Sequence, residues 1–166
     1  MNIETEYKFI IEKPDEELVW AMPDYTESRI TQIYLASENT THRVRRREYT
    51  DGKIVYTENK KVRISKMSST EFEREISEDE YTNLSSGIEE GAAPLFKTRR
   101  TFSYRGKTFE LDYYERWEKT CVMEIELERE DEQIDFPPFI KILRDVTGNK
   151  SYSNHSMAHI FPEEII

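Results

Sequence analysis

The chain has 166 residues, of which 35% are charged and 36% hydrophobic, and it carries a formal net charge of -10. A chain of this length builds one hydrophobic core, so we expect a single domain over residues 1–166. The acidic balance argues against a general nucleic-acid or membrane-surface binder. The one cysteine, Cys121, excludes a disulfide framework within the chain and a cysteine-based zinc site. We find no signal peptide and no apolar run of membrane length, and we therefore expect a cytoplasmic protein.

Alternation of polar and apolar side chains predicts strands in the first half of the chain. Residues 3–11 place Glu4, Glu6 and Lys8 on one face and apolar side chains on the other. A short helix is predicted near residues 18–20. Further strands are predicted at residues 29–35, 41–47, 53–61 and 71–76.

Two local signals define connections in this half. The Asp51-Gly52 pair between two predicted strands is typical of a β-hairpin. Residues 62–69 are basic and polar, and we expect them to form a mobile loop.

The second half of the chain begins with a helix signal. Ser77 and Glu80 form a capping box, which predicts a helix over residues 77–88. Strands are predicted at residues 95–104, 108–114 and 121–128, and the proline pair at 137–138 predicts a helix to about residue 146. Eight strands with hairpin links and two or three helices indicate an α+β, mainly β, fold. The architecture we expect is an eight-stranded antiparallel β-barrel, or tunnel, with a few peripheral helices.

The charged faces of these strands are sorted by sign. Acidic faces are predicted at Glu4 and Glu6, Glu71 and Glu73, Glu110 and Asp112, and Glu124 and Glu126. Basic faces are predicted at Arg43 and Arg45, Lys60, and Lys97 and Arg99. Cationic groups hold phosphate oxygens and carboxylates hold Mg²⁺ or Mn²⁺, so a sorted set suits a polyanion with a bound divalent metal.

Two interpretations of this alternation stay open. In the first, apolar faces pack outward against helices and loops, and charged faces line the interior, where opposite charges and ligands must satisfy one another. In the second, the chain is a plain acidic β-rich domain whose charged faces lie in solvent. The three histidines, His42, His155 and His159, are too scattered in the sequence to predict a metal cluster.

The order of these motifs resembles the CYTH, or triphosphate tunnel metalloenzyme, superfamily. Its opening signature E-x-E-x-K is matched by Glu4, Glu6 and Lys8. The match continues through R-V-R at 43–45, Lys60, E-F-E at 71–73, K-T-R at 97–99, F-E-L-D at 109–112, M-E-I-E-L at 123–127 and V-T-G-N-K-S-Y-S-N at 146–154. The resemblance therefore spans nearly the whole chain.

The resemblance implies a charged tunnel in which the terminal phosphate of a triphosphate or short polyphosphate is hydrolysed with Mg²⁺ or Mn²⁺. It assigns the grip on the triphosphate to Lys8, Arg43, Arg45, Lys60, Lys97 and Arg99. It assigns the metal to Glu4, Glu6, Glu124 and Glu126, with Glu73, Glu110 and Asp112 completing the site. The catalytic centre is then expected at Glu4, Glu6 and Lys8.

Departures from the family pattern affect the cations. Glu58 stands where the family has the threonine of a T-x-K strand, and Lys61 follows Lys60. Ser151 stands in place of a late arginine, so we expect the adjacent Lys150 to serve as a substitute substrate ligand. Fewer cations than usual favour triphosphate over long polyphosphate.

The first function we expect is a metal-dependent triphosphatase acting on inorganic triphosphate or on a nucleoside or organic triphosphate. One alternative is a class IV-like adenylyl cyclase, since residues 41–45 are similar to that branch's H-F-R-x-R segment without its phenylalanine. Another is a non-catalytic binder of triphosphate or nucleotide. We expect a small-molecule partner, no membrane, no nucleic acid except at most an RNA 5′-triphosphate end, and a monomer or homodimer.

Overall fold

The computed structural model describes residues 2–166, and this part of the chain forms nine strands and three short helices. The strands are β1 (Asn2–Glu12), β2 (Thr26–Leu35), β3 (Thr41–Tyr49), β4 (Ile54–Arg63), β5 (Ser68–Ile76), β6 (Leu95–Tyr104), β7 (Lys107–Tyr113), β8 (Thr120–Glu126) and β9 (Ile142–Asp145). The helices are α1 (Glu16–Trp20), α2 (Glu78–Ser85) and α3 (Asn154–His159), and a 3₁₀ turn lies at Lys150–Tyr152.

Eight of the strands close into an antiparallel barrel. Their order is β5-β4-β3-β2-β6-β7-β8-β1, and β1 pairs back with β5. The strand β1 closes the barrel because its residues 2–5 pair with β5 while residues 6–12 pair with β8 on the other side. The predicted eight-stranded barrel is confirmed, and β9 adds a short strand beside residues 9–11 of β1.

Apolar side chains of the strands face outward and are covered there. On β1 and β6 to β8, Phe9, Phe102, Leu111 and Ile125 belong to a buried cluster on which side chains of residues 134–140 pack. On β2 to β5 a second outward cluster packs against α2. Burying these faces stabilises the barrel and leaves the charged alternation on the inside. The first interpretation of the alternation is therefore correct.

Further along the barrel, the side chains that face its interior are apolar rather than charged. Ile10 and Val122, paired across β1 and β8, are buried next to Tyr114 and Trp117 in a third cluster. The C-terminal part of the chain completes this cluster through Tyr152 and other side chains. An apolar core thus fills the barrel beyond the charged residues.

One predicted loop and one predicted helix differ in length from the elements of the structure. The predicted loop over residues 62–69 is shorter than expected and covers residues 64–67, since β4 extends to Arg63 and β5 begins at Ser68. The predicted helix at 77–88 begins as expected, with the Ser77 hydroxyl accepting from the Glu80 amide at 3.1 Å, but α2 ends at Ser85.

The predicted helix at residues 137–146 is wrong. The Ile140 amide donates to the Pro137 carbonyl oxygen at 3.0 Å, which makes a single turn rather than a helix. The following residues form β9, which pairs with β1. A long-range strand pairing has overridden the local signal of two prolines at a helix start.

Within residues 2–166, no helix is long and apolar enough to cross a membrane.

Candidate active site

A cavity of about 660 Å³ occupies the charged part of the barrel interior. A cavity of this size is typical of small-molecule sites. Of the predicted cationic residues, the structure places Lys8, Arg43, Arg45, Arg99 and Lys150 on its lining. Of the predicted acidic residues, it places Glu4, Glu6, Glu73, Glu110, Glu124 and Glu126 there.

The side chains of Arg43 and Arg45 on β3 form a cationic wall. The Nη2 atom of Arg45 donates to the Gln32 amide oxygen at 3.0 Å, but the Nε atoms of both arginines are buried without a hydrogen-bond partner in the protein. Burial, and then the neighbouring guanidinium groups of Arg43 and Arg99, lower the pKa of Arg45 to about 9. An anion with several oxygens would accept the unused donors and offset the repulsion between these cations.

The carboxylates of Glu6 and Glu124 lie together on the opposing acidic wall. Burial raises the pKa of Glu6 well above its usual range, and the charges of Glu124 and Glu4 raise it further. Burial also acts on Glu124, but the Lys8 ammonium, 3.4 Å from its Oε1 atom, lowers its pKa to about 2. In the protein alone, Glu6 is therefore a weaker acid than Glu124.

A second acidic group lies where β1, β4 and β5 meet. The Lys61 ammonium donates to Glu4 Oε2 at 3.0 Å. Burial raises the pKa of Glu4, but Lys61 outweighs that effect and the net pKa is lowered. Burial and a hydrogen bond with Glu4 raise the pKa of Glu71. Asn59 donates to Glu71 at 2.6 Å and to Glu73 at 3.2 Å, which fixes both carboxylates toward the interior.

Three predicted site residues lie outside the cavity lining, and two of them are buried in the barrel wall. Lys97 and Asp112 are buried in the wall, with Lys97 Nζ 2.8 Å from Asp112 Oδ2. Arg99 binds the same carboxylate through two hydrogen bonds, of 2.8 Å and 2.9 Å. Burial raises the pKa of Asp112, but Arg99 and Lys97 outweigh it and keep the group ionised. Lys97, predicted to bind phosphate, and Asp112, predicted to bind metal, therefore lie behind the cavity lining rather than on it.

Lys60, which is predicted as a substrate ligand, is the third predicted residue outside the cavity lining. Arg43, which faces inward, pairs with Asn59, so the alternation of β4 turns Asn59, Lys61 and Arg63 inward. Lys60 is exposed and pairs with Phe72, which is 54% exposed on the outside of the barrel. Lys61 takes the inward position.

Four further cations line the cavity that the sequence analysis did not assign to the site. They are Arg47, Lys61, Arg63 and Lys66. Arg47 shares the face of Arg43 and Arg45, so its spacing was a sufficient signal. Arg63 lies two residues from Lys61, and only the register of β4 shows that it also faces inward. The cavity is therefore more cationic than the departures from the family pattern indicate.

The C-terminal segment, defined as residues 146–156, lines one side of the cavity. The Lys8 amide donates to Thr147 Oγ1 at 2.9 Å, which ties this segment to β1. Gly148 has a φ of 72°, and a Cβ atom there would lie 2.9 Å from the Lys66 carbonyl oxygen. Only glycine therefore permits this close approach between the segment and the loop before β5.

The acidic wall fits a divalent metal that prefers oxygen ligands. Glu6 Oε2 is buried and has no hydrogen-bond partner in the protein. The negative charges of Glu124 and Glu4 raise the pKa of Glu6. A divalent cation would offset this repulsion and allow all three carboxyl groups to ionise together. The donor set holds carboxylates without sulfur or imidazole, which favours Mg²⁺ or Mn²⁺ over softer metals.

Comparison with known proteins places this geometry in a family. A family model described as the CYTH domain matches residues 2–159. Among solved structures, the chain is similar to the inorganic triphosphatase NE1496, with 25% identity, coverage of 98% of each chain and a TM-score of 0.61.

Two further structures show a likeness in fold. The PH1819 protein from Pyrococcus horikoshii OT3 is 19% identical, with a TM-score of 0.54 over 75% of this chain and 80% of that one. The PH1012 protein from the same organism is 16% identical, with a TM-score of 0.54 over 77% and 81%. No curated protein matches the chain. Because the family model covers nearly all of its residues, the chain belongs to the CYTH domain family.

Proposed function

We propose that this protein is a divalent-metal-dependent triphosphatase that hydrolyses the terminal phosphate of inorganic triphosphate or of a nucleoside or organic triphosphate. The observation that carries the proposal is the pairing of unused binding atoms on the two walls of one cavity. Arg43 and Arg45 line the cavity on the cationic side and Glu6 lines it on the acidic side, and each of these side chains has a buried polar atom without a hydrogen-bond partner in the protein. A triphosphate with its metal ion offers both the oxygens and the positive charge that these atoms require.

The cationic wall would bind and orient the substrate. Arg43 and Arg45 offer guanidinium donors to phosphate oxygens, and Lys61, Arg63 and Lys150 extend the cationic lining. The in-line attack of water on a terminal phosphate needs mainly positioning and charge stabilisation, and rigidly held guanidinium groups supply both. The Arg45 hydrogen bond to Gln32 holds the group in place before substrate binds.

The acidic wall would hold the metal through Glu4, Glu6, Glu124 and Glu126. When bound, Mg²⁺ or Mn²⁺ would neutralise phosphate charge and polarise the bond that breaks. Burial, then Glu110 and Glu4, raise the pKa of Glu126, and burial raises that of Glu110. A divalent cation bound on this wall would offset the repulsion between these carboxylates and favour their ionised forms.

The similarity to the inorganic triphosphatase NE1496 supports inorganic triphosphate as the first substrate to test. Long polyphosphate is less favoured, because the C-terminal segment and the apolar cluster at Ile10 limit the cavity.

Phosphate release tests the proposal directly. Inorganic triphosphate, ATP and a long polyphosphate are incubated with Mg²⁺, Mn²⁺ or EDTA, and nucleotide products are separated. We expect metal-dependent release of orthophosphate, fastest from a triphosphate. The Glu126→Gln variant should lose about 100-fold or more of this turnover. Glu128→Gln, which changes an exposed glutamate two residues further on, is the matched control and should retain it.

Other products would reassign the function. Cyclic AMP with pyrophosphate would identify an adenylyl cyclase. Binding of triphosphate without turnover in any metal would identify a non-catalytic binding module. Either result would contradict the triphosphatase proposal.

A further inference from the structure

A cluster of two histidines and a glutamate lies at the edge of the cavity, apart from the acidic wall. Glu89 Oε1 lies 3.0 Å from His155 Nε2 and 2.5 Å from His159 Nε2. Among residues 2–166 this is the only group of three histidine, cysteine or acidic side chains whose ligand atoms all lie within 4.8 Å of one another. The structure thus brings together His155 and His159, although the spacing of the histidines in the sequence predicts no metal cluster.

The local fold fixes this cluster from both sides. His155 and His159 are one turn apart on α3, which places them on the same face of the helix. Glu89 is held by its amide, which donates to the Tyr34 carbonyl oxygen at 2.9 Å. The Ala93 amide donates to the Ala158 carbonyl oxygen at 2.9 Å and joins the two segments.

The chemistry of the three ligands differs from that of the acidic wall. Two imidazole nitrogens and one carboxylate oxygen form the three-ligand set of many zinc sites, in which a further position stays open for water or substrate. Imidazole ligands favour Zn²⁺ and similar transition metals, whereas Mg²⁺ favours oxygen ligands. The side chains of Glu89, His155 and His159 are 27%, 38% and 29% exposed, so an ion can reach them from solution.

We propose that Glu89, His155 and His159 form a second metal site, selective for Zn²⁺ or a similar divalent transition metal, at the edge of the cavity. His155 lines the cavity and its ring packs on Tyr34 at a centroid distance of 5.1 Å. An ion held here would add positive charge beside the cationic wall and would tie α3 to the segment before β6. The site does not depend on the proposed triphosphatase activity.

Zinc binding in the presence of excess Mg²⁺ tests this site. The Mg²⁺ occupies oxygen-rich positions, and calorimetric titration with Zn²⁺ then reports sites with nitrogen ligands. We expect one equivalent of Zn²⁺ to bind the wild-type protein. His159→Asn and Glu89→Gln should each weaken this binding at least about 100-fold, because loss of even an outer hydrogen-bond partner of a ligand costs about 10- to 100-fold.

The third histidine of the chain provides the matched control. His42 Nε2 pairs with Glu58 at 2.6 Å, outside the cavity lining, so His42→Asn should leave zinc binding unchanged. A cobalt spectrum supplies a second measurement: Co²⁺ bound by two imidazoles at low coordination number absorbs strongly in the visible range, and this band should disappear in His159→Asn.

Two results would overturn the proposal. One is an absence of zinc binding that resists Mg²⁺ in the folded wild-type protein, which would leave the cluster as a hydrogen-bonded ion pair. The other is equal zinc affinity in wild type, His159→Asn and Glu89→Gln. Both are measured without reference to turnover, so they are separate from any failure of the triphosphatase assay.

Discussion

At the scale of single residues, the acidic wall carries an energetic cost that its ligand would relieve. Glu6 is the clearest case, since it is buried between Glu4 and Glu124 and its Oε2 atom has no hydrogen-bond partner in the protein. Active sites commonly hold such strained arrangements because the binding of substrate or metal offsets them. The pKa of Glu6 makes this cost measurable.

Glu6 should destabilise the metal-free protein as pH rises. Its pKa in the folded state is raised above the ordinary value of 4.5, so the folded state binds more protons than the unfolded state above that value. The contribution of Glu6 to the stability of the folded state is therefore most favourable at low pH, and it is lost as pH rises toward the raised pKa. Glu6→Gln removes this loss, so in EDTA the variant should gain melting temperature relative to wild type between mildly acidic and neutral pH.

Thermal melting in EDTA and in Mg²⁺ measures this effect. In a chain of this size, a change of about 1 kcal/mol in the free energy of unfolding shifts the melting temperature by about 2–4 °C. In saturating Mg²⁺ the order should reverse, because wild type gains more from the metal than the variant does. Melting temperatures of the two proteins that differ by a constant amount at every pH, with and without Mg²⁺, would contradict the assignment of Glu6.

At the scale of elements, the register of β4 decides which lysine belongs to the site. A shift of one residue in a strand moves every side chain to the opposite face. The pairing of Arg43 with Asn59 turns Lys61 toward Glu4 and leaves Lys60 outside. Two adjacent lysines in the sequence thus have different surroundings.

Substitution of each lysine by methionine tests this register. Methionine keeps the unbranched chain and removes the charge, so packing changes little. Lys61→Met should lower kcat/KM for triphosphate by about 10- to 100-fold, which corresponds to one lost hydrogen bond to a charged group. Lys60→Met should leave kcat/KM within about twofold of wild type. The opposite ranking of the two variants would show that β4 is in the other register.

Elements with a strong local signal were predictable from the sequence. The alternation of β1 and the Asp51-Gly52 hairpin are set by neighbouring residues, and the Gly52 φ of 89° provides the turn expected there. β9 was missed because it is defined by pairing with β1, far away in the sequence, and its four residues have no clear period. For a similar reason, Lys60 rather than Lys61 was predicted as the substrate ligand. Only the pairing of β4 with β3 shows which of the two lysines faces the interior of the barrel.

At the scale of the whole molecule, the fold separates apolar and charged residues in an unusual direction. Apolar faces pack outward beneath α2 and the segment 127–140, and the charged faces are enclosed by the barrel. The net charge of -10 therefore does not describe the interior, where nine lysine and arginine side chains line one cavity with the carboxylates.

The sorting of charge by strand was enough to predict a charged interior, but not the depth of each residue within it. Lys97 and Asp112 follow the same alternation as Arg99 and Glu110, yet they lie further along the barrel and form an ion pair inside the wall. The histidine cluster was equally invisible, because Glu89 and α3 meet only through the tertiary fold.

The most direct measurement is a crystal structure with Mn²⁺ and a non-hydrolysable imido analogue of triphosphate, with Mn²⁺ located by its anomalous scattering. We predict a Mn²⁺ peak among Glu4, Glu6, Glu124 and Glu126, with the phosphate chain bound by Arg43 and Arg45. A phosphate chain outside the barrel, or Mn²⁺ bound only at sites other than these carboxylates, would contradict the account.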